Sequence, residues 1–130
     1  MKIQYWESYG KGYLQLIDNT ATLVSKVIID LNCDEYTRYK EYCDNDKLAK
    51  IIRIETNPNY VGKGYASKLL NFVIKKLKNY NLILLCSPQK RCEDTDTLTT
   101  VADLQMFYSK FGFIKTDELL PTMIRKSNIK

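Results

Sequence analysis

Residues 50–77 read KIIRIETNPNYVGKGYASKLLNFVIKKL, and within this stretch the hydrophobic pattern changes from that of a strand to that of a helix. The first seven residues, KIIRIET, are rich in isoleucine and predict a strand that ends before Pro58. From Gly64 onward the apolar residues recur at the spacing of one helical face, at Ala66, Leu70, Val73 and Leu77. We therefore expect a strand, a glycine-containing loop and a helix that runs to about Asn79.

Gly62 and Gly64 stand between that strand and that helix. A helix N-terminus leaves backbone N–H groups without partners and carries partial positive charge. Glycine lets the backbone approach a bulky anion, and Lys63 and Lys68 add charge. The loop is thus a candidate pyrophosphate cradle. A GxG sequence alone is more often turn chemistry, and neither the Walker nor the dinucleotide glycine pattern fits.

Strand-like runs also occupy residues 2–7, 13–17 and 21–31, with a hairpin expected around residues 18–20. Residues 33–47, which we call the excursion, are polar and tyrosine-rich and fit either a short helix or a long connection. Residues 82–86 are entirely apolar, which predicts a buried central strand. A charged loop is expected to follow, over residues 87–96.

The last third of the chain predicts one helix and two closing strands. Thr100 and Asp103 match a capping box, and Gly112 is a natural helix stop. The strands are expected at residues 113–116 and 123–125, and the apolar stripe of the helix comprises Val101, Leu104, Phe107, Tyr108 and Phe111. The resulting order β-β-β-excursion-β-α-β-α-β-β predicts one α+β (mixed α/β) domain over residues 1–130, with helices packed on a mixed sheet.

The composition is that of a soluble globular domain, with 45% hydrophobic and 27% charged residues in 130. No apolar run reaches the roughly 20 residues that span a bilayer, and no signal peptide is evident, so we expect a cytoplasmic protein without a membrane partner. The chain contains no histidine, which excludes a mixed Cys/His zinc site and histidine-dependent triads. The four cysteines (Cys33, Cys43, Cys86 and Cys92) form no CxxC pair, and we expect free thiols.

The net charge of +5 describes either a solvated basic surface or a surface that attracts an anion. The anion could be a phosphorylated coenzyme or a nucleic acid. The lysines are spread along the chain with only short clusters, so the charge pattern favours nucleic acid only weakly.

A second motif lies about 40 residues beyond the glycine loop, where residues 107–113 read FYSKFGF. Together with NPNYVGKGYASKLL, this ending resembles the GNAT superfamily of acetyl-CoA-dependent N-acetyltransferases, over roughly residues 50–116. Residues 61–66 align with the family's glycine motif, in which Val61 stands where relatives usually carry Arg or Gln. The resemblance implies a central, mostly antiparallel mixed sheet flanked by helices and acetyl-CoA as co-substrate, with no metal.

The resemblance also implies roles for individual residues. Tyr108 corresponds to the tyrosine that protonates the departing coenzyme A thiolate, and a phenol can do so because its pKa lies near that of a thiol. Cys86 and Ser87 are expected to line the acetyl or substrate pocket. The pantetheine arm would lie against Ile54, Glu55 and Thr56, and the pyrophosphate against Val61, Gly62, Lys63, Gly64, Tyr65, Ala66 and Ser67.

The general base is not evident from the sequence. Relatives often place a carboxylate or histidine where this chain has Lys50 and Ile52, and simple strand alternation puts Glu55 on the opposite side. A water relay is one alternative, and a carboxylate of the excursion is another; the candidates are Asp34, Glu35, Glu41, Asp44 and Asp46.

The N-terminal part is shorter than in the family. About five residues separate Glu7 from Tyr13, where relatives commonly place two helices. We expect those helices to be shortened or missing. That difference suggests an open acceptor face, a larger acceptor, or a wall built by the excursion.

The sequence therefore predicts an N-acetyltransferase in which a primary amine attacks acetyl-CoA directly and Tyr108 acts as general acid. The amine could belong to a small molecule or a protein, and the chain could be a monomer or a homodimer. One alternative is an acyl-CoA-binding regulatory module with little or no catalysis. Another is a small basic nucleic-acid-binding domain, which the dispersed lysines make the weaker candidate.

Overall fold

A computed structural model describes residues 1–86 and 100–127. The expected loop at residues 87–96, including Ser87 and Cys92, lies outside the described residues. The strands are β1 (Lys2–Ser8), β2 (Lys11–Ile17), β3 (Leu23–Asp30), β4 (Leu48–Thr56), β5 (Asn81–Leu85), β6 (Ile114–Lys115) and β7 (Thr122–Arg125). The helices are α1 (Tyr36–Tyr39), α2 (Tyr65–Lys76) and α3 (Val101–Ser109), with 3₁₀ turns at Lys40–Tyr42 and Pro58–Tyr60.

The described strands form one seven-stranded sheet in the order β1-β2-β3-β4-β5-β7-β6. Strands β4 and β5 are parallel, because α2 carries the chain back between them. The other neighbouring pairs are antiparallel. The predicted α+β class and mostly antiparallel mixed sheet are confirmed.

Both long helices pack on one side of this sheet, which we call the helix face. It carries Val27, Ile29, Ala49 and Ile51, and these side chains are buried with the inward residues of α2. The predicted helical stripe included Leu70, Val73 and Leu77, all of which are buried, and the structure adds Leu69 and Ile74 to the buried set. Apolar side chains of α3 pack against the same cluster.

The opposite side, which we call the open face, carries Trp6, Tyr13, Ile28 and Lys50. Part of it is covered by the excursion, whose Tyr39 is buried against β-strand residues (Leu48, Ile83 and Ile124). Over β1–β4 the face is more exposed, and Trp6 retains 43% of its accessible surface.

The two helices that relatives commonly place between the first two strands are missing here, as predicted. β1 ends at Ser8 and β2 begins at Lys11, so a two-residue turn replaces any longer connection. Tyr9 and Gly10 have φ values of 50° and 75°, which is the pattern of the tight turns that match strand twist.

The helix boundaries follow the sequence signals. α3 begins with a complete capping box, in which Thr100 Oγ1 accepts from the Asp103 amide and the Asp103 carboxylate accepts from the Thr100 amide. α2 ends at Lys76, three residues before the predicted end at Asn79. The excursion contains one short helix and a 3₁₀ turn within a longer connection.

Strand β4 contains a β-bulge that the sequence pattern did not predict. Ile28 pairs with Arg53 whereas Ile29 pairs with Ile51, so Ile52 is the extra residue. Beyond the bulge the alternation is reversed, and Ile54 rather than Arg53 packs on the helix face. The expectation that Glu55 lies opposite Lys50 is therefore wrong, because the bulge places both on the open face.

Candidate functional site

The parallel strands β4 and β5 stay paired only over part of their length. Their last paired residues are Ile51 and Leu84, and β4 then continues for five residues to Thr56. Along Ile52–Thr56 one edge of β4 has no strand beside it among the described residues. A cleft edge of this kind presents backbone N–H and C=O groups to a ligand.

The glycine loop lies directly beyond this edge, at the start of α2. Gly62 and Gly64 both have φ of +81°, and an added Cβ at either would meet no atom of residues 1–86 and 100–127 within 4 Å. Gly64 is the N-cap of α2 and provides no side-chain cap. The amides from Val61 to Ser67 make no hydrogen bond to any described residue. Seven consecutive N–H groups are therefore available to an acceptor in open space.

The loop is anchored to the turn between β2 and β3. Tyr60 Oη donates to Asp18 Oδ2 at 2.5 Å, and the Asn57 amide donates to the Val24 carbonyl at 2.7 Å. The hydrogen bond from Tyr60, with others from the turn, holds the pKa of the Asp18 carboxyl well below its usual range. The Lys63 ammonium lies 5.7 Å from the centroid of the Tyr60 ring.

Tyr108 and Cys86 lie together on the helix face, at the end of β5. Cys86 is fully buried and its amide donates to the Pro121 carbonyl at 2.9 Å. Burial raises the pKa of the Cys86 thiol to about 11. Burial also raises the pKa of Tyr108 to about 12, with a smaller contribution from Cys86. Tyr108 carries its proton at neutral pH, as an ordinary tyrosine does, and the raised pKa makes it a weaker acid than a free phenol.

On the open face, Lys50 of β4 is paired with a carboxylate. Lys50 Nζ lies 3.7 Å from Glu35 Oε2, a residue of the excursion. Among the five acidic candidates of that segment, Glu35 is the one for which the described residues show an ion pair with β4. Asp44 instead accepts from the Ser127 hydroxyl at 2.7 Å. Glu55 is engaged by Lys26 at 3.5 Å and by Arg53 at 3.1 Å.

The excursion is fixed at the margin of the site. Arg38 forms an ion pair with Glu118 at 2.6 Å, and Tyr42 Oη accepts from the Asp117 amide at 3.1 Å. These contacts join the excursion to the connection between β6 and β7. The excursion therefore lies across β4, β5 and β7 on the open face, where it could line one side of an acceptor site.

The structure brings together most of the residues that the sequence singled out. Residues 61–67 form one loop and helix start, and Ile54 and Thr56 lie on the helix face of the adjoining β4 edge. Ser87 lies outside the described residues. The sequence analysis missed Asp18, Asn57 and Tyr60 as supports of the loop. The Asp18-Asn19 turn signal was visible, but its contact with Tyr60 spans 42 positions.

Within residues 1–86 and 100–127, no group of three or more His, Cys, Asp or Glu side chains is placed to hold a metal ion. In the same part of the chain, no helix combines the length and apolarity needed to cross a bilayer.

The fold is therefore an α+β domain with a cleft beside β4 and a helix N-terminus that lacks a side-chain cap. The acetyltransferase (GNAT) family model matches residues 35–113, which is more than half of the chain. This chain belongs to the GNAT acetyltransferase family. No curated protein matches it in sequence.

Solved structures share the fold at low identity. One is described as histone acetyltransferase HPA2 and related acetyltransferase from Corynebacterium glutamicum, at 14% identity and a TM-score of 0.62, covering 94% of this chain and 67% of that one. The ribosomal-protein-S18-alanine N-acetyltransferase from Escherichia coli is 18% identical, with a TM-score of 0.56 and coverage of 91% and 68%. The PaiA N-acetyltransferase from Thermoplasma acidophilum, in complex with coenzyme A, is 20% identical, with a TM-score of 0.54 and coverage of 88% and 59%. This chain thus spans roughly two-thirds of the length of these proteins.

Proposed function

We propose that this chain is an N-acetyltransferase that transfers an acetyl group from acetyl-CoA to a primary amine. The observation that carries the proposal is the run of seven amides from Val61 to Ser67, at an uncapped helix N-terminus. No described residue accepts from these amides, and none lies within 4 Å of a Cβ added at Gly62 or Gly64. Such a site suits the pyrophosphate of coenzyme A. The solved relative that holds coenzyme A supports the same ligand class.

The residues of the chain fit distinct tasks in this reaction. Acetyl-CoA supplies the thioester that the amine attacks. The amides of residues 61–67 hold its pyrophosphate, and the free edge of β4 at Ile54–Thr56 aligns the pantetheine arm. A backbone N–H of that edge polarises the thioester carbonyl. Tyr108 is protonated at neutral pH and gives its proton to the sulfur as the thiolate leaves. Its raised pKa makes this transfer less favourable than from an ordinary phenol.

The amine must lose a proton, and Glu35 is our candidate for the group that receives it. Its carboxylate contacts Lys50 on the substrate side of β4, and two-thirds of its side chain is buried. The excursion thereby supplies the carboxylate that β4 itself lacks at this position.

The test is acetyl transfer by wild type and by Tyr108→Phe, measured as thiol release with a panel of small amines and peptide amines. We expect the variant to lose about 100-fold in kcat, as for loss of a general acid. Its Kd for acetyl-CoA, measured by calorimetry, should stay within about twofold because the amide cradle is untouched. Tyr80→Phe, on another apolar part of the helix face, is the matched control and should keep full activity.

Two outcomes would contradict parts of the proposal. Unchanged kcat in Tyr108→Phe would remove the assigned acid. Tight binding of acetyl-CoA by the wild type, without transfer to any amine, would favour the acyl-CoA-binding regulatory module instead. Absence of acetyl-CoA binding would overturn the proposal itself.

A further inference from the structure

The turn between β2 and β3 is organised around one carboxylate. Asp18 Oδ1 accepts from the Thr20 amide at 2.8 Å, the Thr20 hydroxyl at 2.7 Å and the Thr22 amide at 3.0 Å. Three bonds to one oxygen fix the orientation of the side chain. The second oxygen, Oδ2, points away from the turn and accepts from Tyr60 Oη at 2.5 Å.

Tyr60 ends a short 3₁₀ turn that is tied to the same hairpin at its other end. The Asn57 amide donates to the Val24 carbonyl, and Asn57 Nδ2 donates to the Leu23 carbonyl at 3.1 Å. The Tyr60 amide donates to the Asn57 carbonyl at 2.8 Å. The segment that leads into the glycine loop is therefore attached to the hairpin at both ends.

The loop beyond Tyr60 has little to hold it apart from this attachment. The amides of residues 61–64 make no hydrogen bond to any described residue, and Gly62 and Gly64 contribute no side chains. Two glycines in so short a loop leave a wide range of backbone conformations. A free loop would have to be ordered when a ligand binds, and that ordering weakens affinity.

The Tyr60 ring also contacts both sides of the loop. The Lys63 ammonium lies over its face at 5.7 Å, and the Tyr65 ring meets it edge-on at 5.9 Å. Tyr65 is the first residue of α2, so the ring bridges the loop and the helix start. This contact keeps Lys63 close to the loop amides. Lys63 can therefore offer an anion the positive charge that the aliphatic side chain of Val61 cannot.

We propose that Tyr60 and Asp18 form a latch that positions the glycine loop and Lys63 for the pyrophosphate of acetyl-CoA. The inference rests on the proposed function for its ligand. Asp18 and Tyr60 are positioning residues, since they act through the loop amides and through Lys63. The latch connects a hairpin turn to a ligand loop 42 positions away in sequence.

The first test compares wild type with Tyr60→Phe, which removes the hydroxyl and keeps the ring beneath Lys63. We expect the KM for acetyl-CoA to rise about fivefold to tenfold, the effect of losing one hydrogen bond to a charged group, with kcat within about twofold. With acetyl-pantetheine, which has the thioester but no pyrophosphate, kcat/KM should stay within about twofold. Tyr5→Phe is the control, because it deletes a comparable hydroxyl–carboxylate hydrogen bond, to Glu7 at 3.0 Å on the β1 edge. It should leave kcat/KM unchanged with both acetyl-CoA and acetyl-pantetheine.

Equal losses with both donors would overturn the latch, because they would indicate general damage to the fold. An unchanged KM for acetyl-CoA would overturn it as well. If the wild type failed to bind acetyl-CoA, the ligand part of the proposal would fall together with the proposed function.

A second measurement tests the positioning without any ligand. Backbone ¹⁵N relaxation should give order parameters for Gly62 and Gly64 near those of rigid backbone in the wild type, and these should fall toward about 0.6 in Tyr60→Phe. Values in Tyr5→Phe should match the wild type. Equal order parameters in wild type and Tyr60→Phe would overturn the latch irrespective of the acetyl-CoA results.

Discussion

Val61 occupies the position at which the family usually presents an arginine or a glutamine. Its side chain is 48% exposed and can offer an anion neither charge nor a hydrogen bond. The amide cradle does not depend on that side chain, because its donors belong to the backbone. Lys63, placed over the Tyr60 ring, brings a cation to the same loop from another position. The chain has thus kept the backbone part of the motif and altered its side-chain part.

Tyr108 gives a pH-dependent prediction at this scale. Its pKa is about 12 in the folded protein and about 10 in an unfolded chain. Because the pKa is higher in the folded state, the protonated side chain contributes stability that is fully present below about pH 10. This stability is lost as the pH rises toward 12. Urea unfolding between pH 9 and 12 should therefore show the wild type losing stability faster than Tyr108→Phe, by up to about 1.4 kcal/mol per pH unit.

Tyr9→Phe is the control for this titration, since it removes a phenol whose ring is fully exposed. Its loss of stability with pH should match that of the wild type. A Tyr108→Phe variant that declines in parallel with the wild type would contradict the raised pKa.

Helix α3 presents Tyr108 and begins at the Thr100–Asp103 capping box. Thr100→Ala removes the side-chain acceptor of the Asp103 amide, at 3.1 Å. We expect a loss of about 1 kcal/mol in the free energy of unfolding, measured by urea denaturation. Ser109→Ala, at the other end of α3, removes only a hydroxyl bonded to the Met106 carbonyl and should cost less. Equal losses would contradict a specific capping role.

The elements show what the sequence could predict. The capping residues, the apolar stripes and the change from a strand pattern to a helix pattern at Gly64 are local, and they located the strands and the two long helices. The bulge at Ile52 could not be found in this way, because KIIRIET alternates as plausibly without it. Its presence depends on how β3 and β4 pair, which is a tertiary property.

The residues of the candidate site also separate into those with a local sequence signal and those defined by tertiary contacts. Gly62, Gly64 and Tyr108 were singled out from sequence motifs, and their roles stay predictions. The contact between Tyr60 and Asp18 and the pairing of Glu35 with Lys50 could not be predicted from the sequence. Each joins segments that only the fold brings together. The acidic residues of the excursion could be named from the sequence but ranked only by contact with β4.

At the scale of the whole molecule, the two faces of the sheet have different roles. The helix face holds the main core, Tyr108 and the start of α2. The open face holds Lys50, Glu35 and Glu55 and is partly covered by the excursion. No helices separate β1 from β2, so the sheet surface between β1 and the β4 bulge is not covered by them. Trp6 on β1 and Ile52 at the bulge are both exposed. If the proposed function holds, this surface is the route that we propose for the amine acceptor to the β4 cleft.

A continuous seven-stranded sheet over a shared core predicts that the chain unfolds as one domain. Trp6 is the single tryptophan and lies on the edge strand β1, so its fluorescence reports that end of the sheet. We expect the fluorescence and far-UV circular dichroism transitions in urea to coincide.

Leu84→Ala, at a buried site on β5, should lower the free energy of unfolding by about 2–5 kcal/mol and lower both midpoints equally. Leu119→Ala, at a fully exposed leucine, is the control and should move neither. Because β2, β3 and β4 separate β1 from β5, a circular dichroism midpoint that fell in Leu84→Ala without a matching shift in Trp6 fluorescence would show that the two ends of the sheet unfold independently.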